Sequence, residues 1–194
     1  MSPARTVFAA IALTALLACE PVLEPEVSVD VSSPAFAHAP AAGFSYAFGE
    51  AAGAPSAIAN NGDQIDISLN VGLAPFTFHP KSISGGGDFT IRNAGGDVLS
   101  TGTWAATKLI SFKSYGSTDV GGGLFLFGGS LQMHITLSTG EKAILRLTCT
   151  DFGNPPHGVS QGMRLKVVGG QQFKGVWPFP PDGPTQGFTF FVEN

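Results

Sequence analysis

Apolar and polar residues alternate with a period of two over several stretches of the chain. From Gln64 to Val71, Ile65, Ile67, Leu69 and Val71 fall on one side, and Asp66, Ser68 and Asn70 on the other. Leu131 to Ser138 alternates as cleanly, and Ala143 to Thr150 repeats the pattern after Thr139-Gly140-Glu141-Lys142. Successive side chains of a strand point to opposite faces, so these runs predict strands with one buried and one wet face. The short glycine-bearing link between the last two predicts a β-hairpin. Further strands are expected at 44–48, 76–79, 88–92, 97–101, 103–113, 123–127, 162–168 and 187–192. The 103–113 run is either one long strand or two joined by a bulge. Asn93-Ala94-Gly95-Gly96 supplies another hairpin turn. Few windows free of Gly and Pro are long enough for three helical turns. The pattern therefore predicts an all-β fold of about eight to ten strands, an antiparallel barrel or, as the alternative, a sandwich. Sequential hairpins favour the barrel, because closure removes exposed edges.

The N-terminus follows a different logic. Arg5 is the single charge before Cys19, and Val7 to Leu17 is an apolar run broken only by Thr14. A basic start, a short apolar core and a small residue at its end predict a secretory signal over residues 1–18. A membrane span needs about 20 apolar residues, which this run lacks. Leu16-Leu17-Ala18-Cys19 resembles the lipobox of bacterial lipoproteins. That resemblance implies cleavage before Cys19 and acylation of its thiol and new amino group. Ordinary cleavage near Ala18 without lipid is the alternative, and Ala35-Phe36-Ala37 lies too far beyond the apolar core to serve. Residues 19–40 hold Glu20, Glu24, Glu26 and Asp30, no base, and prolines at 21, 25, 34 and 40. Such a segment is expected to be extended and solvated, as a tether would be. Residues 41–194 then form the β domain.

Charge narrows the function classes. Only 12% of residues are charged, while Gly numbers 26 and Phe 16 of 194. From His38 onward nine bases face ten acids, with no run of either sign. Without clustered Lys or Arg to neutralise phosphates, no nucleic-acid partner is expected. Charged strand faces and the absence of repeated aromatic girdles argue against a transmembrane barrel.

No catalytic motif emerges. His38, His79, His134 and His157 lie in four separate segments without metal-ligand spacing. Asp63 and Asp66 follow Asn60-Asn61-Gly62 but lack the ligand order of a calcium loop, so neither metal nor cofactor is expected. The glycine clusters 85–87, 121–123 and 128–129 precede no helix and read as turns requiring positive φ. If Cys19 is acylated, Cys149 has no disulfide partner; its strand register makes it a buried, inert thiol. His134 lies mid-strand on the polar face with Gln132 and Thr136. If that face lined a barrel lumen, His134, Arg146 and Tyr115 would be the candidates for acid–base work. Trp177 and Phe179, in a loop with four prolines between 178 and 184, and Trp104 are the candidate ligand-binding aromatics.

The segment 102–116 (GTWAATKLISFKSYG), preceded by Gly85-Gly86-Gly87-Asp88-Phe89-Thr90, resembles exported bacterial β domains of unassigned function over about residues 83–170. Small lumen-bearing barrels of the allene oxide cyclase and dirigent type are similar in strand pattern alone, and no functional residue maps from them. The expectation is an envelope lipoprotein, held to the outer membrane or cell surface by lipid on Cys19. Its non-catalytic domain would bind an apolar or glycan ligand or a protein partner. The alternatives are an isomerase- or cyclase-like barrel enzyme with a polar lumen site, a structural envelope component, and a soluble secreted or periplasmic protein.

Overall fold

The computed structural model describes residues 43–49, 54–78, 80–176 and 188–194. They form twelve strands and no helix: β1 Phe44–Gly49, β2 Ser56–Ala59, β3 Gln64–Ile67, β4 Ala74–Phe78, β5 Lys81–Ile83, β6 Gly86–Arg92, β7 Val98–Asp119, β8 Phe125–Leu137, β9 Lys142–Cys149, β10 Gly162–Val167, β11 Gln172–Val176 and β12 Phe188–Glu193. Every pairing is antiparallel. The order β8-β7-β6-β3-β2-β11-β10-β9 closes on itself through β9–β8, giving an eight-stranded barrel. The remaining strands continue from β8 in the order β12-β1-β4-β5 and lie outside it as an annex. Of the two architectures that the alternation allowed, the fold is thus the barrel.

Eight strands enclose an interior just wide enough for side chains to fill. Here they fill it. Leu131, Met133, Ile135 and Leu137 of β8 face inward with Leu145, Leu147 and Cys149 of β9 and Met163 and Leu165 of β10. Ile65, Ile67, Phe89, Phe173 and Trp104 close the other side. Each fully buried Leu, Ile or Phe of this kind contributes roughly 1.5–3 kcal/mol. Cys149 is free and fully buried, and burial pushes its thiol up to about 12 against the opposing backbone hydrogen bonds of Asp151 and Phe152.

The annex is aromatic instead. Phe44, Phe76, Phe78 and Phe191 pack on Phe112 of β7 and Phe127 of β8 with ring centroids 4.8–6.4 Å apart. Edge-on and tilted contacts dominate, as ring quadrupoles prefer. Tyr46 lies beside them, its hydroxyl donating to the Ser84 carbonyl at 3.0 Å.

Four of the expected strands merge into two, and a fifth is shortened. Residues 97–101 and 103–113 merge into the 22-residue β7, and residues 123–127 merge with 131–138 into β8. β7 crosses three register shifts against β8, which leave Thr107, Ile110 and Tyr115 as extra residues. Its inward positions therefore run Trp104, Ala106, Leu109, Phe112 rather than in strict twos. The bulges let one strand serve the barrel and then the annex, each adding twist. The run 64–71 stops as a strand at Ile67. Beyond it, Ser68 and Asn70 donate to Asp88 and Gly86 of β6, and Val71 is exposed. The β8–β9 and β6–β7 hairpins form where expected, whereas β2, β5 and β11 gave too short a pattern to detect.

The glycines also divide. Gly85 and Gly121–Gly123 do adopt positive φ. Gly128 and Gly129, expected in a turn, sit inside β8 where its partner changes from β9 to β12: Gly129 pairs with Cys149 and Phe127 with Phe191. A Cβ at Gly128 would strike the Phe152 carbonyl oxygen, so the close approach of the 150–153 segment requires glycine there. Gly87 in β6 is needed in the same way beneath Ser68.

Candidate functional site

The polar face of β8 is the outer face of the barrel. Its lumen positions are all apolar, so the expected lumen cluster is not assembled. His134 pairs with Lys108 and Ile144, and Arg146 pairs with Gln132 and Arg164. His134 and Arg146 are therefore diagonal neighbours outside, at a spacing of about 7–8 Å. Tyr115 is buried at the third bulge, seven residues along β7 from Lys108 and so roughly 20 Å from His134.

Trp104, expected to face a ligand, is in the core. Its indole donates to the Ser68 carbonyl at 2.8 Å and its ring lies 6.4 Å from Phe48. Trp177 and Phe179 lie outside the described residues, as do Cys19, His38 and His79. His157 is exposed in the loop between β9 and β10. Asp66 takes a hydrogen bond from Gln64 and an ion pair from Arg92 at 3.7 Å, and Asp63 accepts from Asn61 and Gln171. These carboxylates are occupied by neighbours in sheet and turn. Among the described residues no three His, Cys, Asp or Glu side chains converge as a metal site.

What the register does assemble is a row of cations. Arg146 of β9 lies opposite Arg164 of β10, which lies opposite Lys174 of β11. All three are exposed, and none has an acid partner among the described residues, whose one ion pair is Arg92–Asp66. Like charges directly opposite in a sheet cost roughly 0.2–1 kcal/mol per pair. Folding alone gives no reason for the arrangement.

A cleft of about 210 Å³ opens over this row. Its floor is Arg146, Thr148, Arg164 and Lys174, and the 158–161 segment forms its rim. Arg146 Nε donates to Ser130 Oγ at 2.9 Å, which holds the guanidinium against the wall and leaves its terminal nitrogens free to donate. Gln161 is buried on the rim. Its Oε1 accepts from the Thr150 backbone N–H at 2.9 Å, which fixes the amide orientation. Its Nε2 then has no acceptor among the described residues. Gly162 and Gly175 also line the cleft.

The cations extend beyond the cleft. Strands β7–β11 carry Lys108, Lys113, Lys142, Arg146, Arg164, Lys166 and Lys174, all exposed, against one acid, Asp119, at the end of β7. The absence of a basic run in the sequence thus did not mean the absence of a basic surface. Alternate residues on adjacent strands build one. No family model matches this chain, and no curated protein or solved structure matches it.

Proposed function

We propose that this chain is an exported, lipid-anchored binding protein of the cell envelope, whose barrel is a scaffold and whose ligand is recognised on the outer wall. The apolar lumen carries the reading: among the described residues the inward positions of the barrel are apolar and buried, and the polar groups able to hold a ligand stand on the outer wall. There the cleft over Arg146, Arg164 and Lys174 combines concavity with donors that lack partners. The lipobox Leu16-Leu17-Ala18-Cys19 and the acidic, proline-bearing residues 20–40 supply the anchor and the tether.

The test is the intact mass of the protein taken from its own cells, native and then denatured. A denatured mass that begins at Cys19 and carries acyl chains is expected. A native mass with an added component lost on denaturation is expected as well. A bare chain beginning elsewhere would remove the anchor, and a native mass equal to the denatured one would count against a bound ligand.

A further inference from the structure

Resting on that reading, we propose that the ligand of the outer wall is an acidic polysaccharide, a glycan chain bearing carboxylate or sulfate groups. Its anionic groups would lie along the row Arg146–Arg164–Lys174. The row runs across three adjacent strands at a spacing of about 4.8 Å, so it presents charge at regular intervals along a line. A line of cations suits a chain of repeated anions better than one isolated ion. Arginine's planar fork of donors matches carboxylate and sulfate oxygens, and the two arginines sit side by side.

The polar groups around the row suit a sugar. The Gln161 amide and the Thr148 hydroxyl border the charges, and Ser130 holds Arg146 in place. These groups serve hydroxyl-rich ligands, and the exposed lysines at 108, 142 and 166 extend the strip past the cleft. Two other polyanions fit less well. Single-stranded nucleic acid is bound by basic grooves with aromatic side chains on which bases stack. Strands β9–β11 and the 132–136 stretch of β8 have no outward Phe, Tyr or Trp among the described residues, and His134 is the one outward ring beside the row. An anionic bilayer would meet a concave cleft here, where the cleft lining carries no exposed large apolar side chain among the described residues and Val168 stands alone in the β10–β11 turn.

The experiment is a set of binding isotherms on the purified full-length protein in detergent. The probes are an oligouronate, a sulfated oligosaccharide, a neutral glucan oligomer, inorganic phosphate and a single-stranded oligonucleotide. The acidic oligosaccharides are expected to bind and the neutral one not to, with affinity falling as salt rises. Arg164→Gln should weaken binding about tenfold or more, and Arg164→Gln with Lys174→Gln should weaken it further. Lys81→Gln, on β5 outside the barrel, should leave it unchanged. Both wall sites are exposed, so melting curves should show these variants folded.

Equal binding of the neutral glucan would overturn the proposal. So would acidic binding indifferent to the Arg164 and Lys174 changes, tighter binding of the oligonucleotide, or saturation by phosphate alone with nothing gained from a chain. Should no acidic oligosaccharide bind while the protein from its cells carries a neutral ligand, this inference fails and the binding-protein reading stands. Should it carry no ligand of any kind, that reading fails too.

Discussion

The barrel and the annex solve the same burial problem with different residues. The barrel lumen is filled mainly by Leu, Ile and Met from β8, β9 and β10, whose alternation places one face inward with few exceptions. The annex is filled by Phe44, Phe76, Phe78, Phe112, Phe127 and Phe191, drawn from strands far apart in sequence. Branched aliphatic chains of modest length pack in a narrow closed cylinder. Large rings suit the annex, where few strands must bury much area against Phe112 and Phe127 of the long hairpin. β7 and β8 belong to both, and the change of partner at Gly128 and Gly129 marks the border.

The largest test of that division is a pair of truncations. Leu145→Ala in the lumen should cost about 2–5 kcal/mol, and Phe76→Ala in the annex about 3–5 kcal/mol. If the two regions open as separate units, Phe76→Ala will speed amide exchange in β1, β4 and β12 while β9 and β10 stay protected, as local unfolding allows. Equal loss of protection in both would show that they unfold as one.

Alkaline titration sharpens the comparison, because each region buries one group that resists ionisation. Cys149 in the barrel is raised from 9.0 to about 12, and the Tyr46 hydroxyl in the annex is raised from 10.0, both by burial. Each folded-state pKa lies above its unfolded value, so the stability tied to the neutral form is complete below the unfolded pKa. It is lost as pH climbs toward the folded one. The unfolding free energy from denaturant titration should therefore fall above pH 9, by at most about 1.4 kcal/mol per pH unit for each group. Cys149→Ala should flatten the loss between pH 9 and 10, where Tyr46 contributes little. An unchanged slope in that variant would remove the thiol from the account. The native thiol should also resist alkylation at pH 8 until the protein unfolds.

The smallest effect is expected on the outer wall, and with the opposite sign. Arg164→Gln removes a charge flanked by Arg146 and Lys174, so in the absence of ligand it should raise stability by about 0.2–1 kcal/mol. A melting temperature unchanged or lowered would mean the row is not under charge strain.

Much of the barrel was legible in the chain. The alternation at 143–150 and 162–168 marks β9 and β10 almost residue for residue, that at 131–138 marks the second half of β8, and the link at 139–142 marks the β8–β9 hairpin. β7 was legible only in pieces, because its bulges at Thr107, Ile110 and Tyr115 break the period of two. The candidate site was less legible still. His134 and Arg146 stood out as polar strand residues, but which side of the sheet they faced was open. Trp104 resembled a ligand platform because its partners Ser68 and Phe48 are distant in sequence. Arg164 and Lys174 carried no signal of a site, since each is an ordinary base on the polar side of a short strand.

Local chain chemistry is enough for strands rather than helices, for the hairpin turns, and for which residues of each strand share a face. These follow from the geometry of one extended chain, in which neighbours alternate sides. Tertiary structure alone decided that β8 pairs with both β9 and β12, that the apolar faces turn inward around a closed lumen, and that bases at 146, 164 and 174 stand in one row. Those outcomes depend on the register between strands distant along the chain. Register is set by how the whole apolar surface packs, which no single stretch can specify.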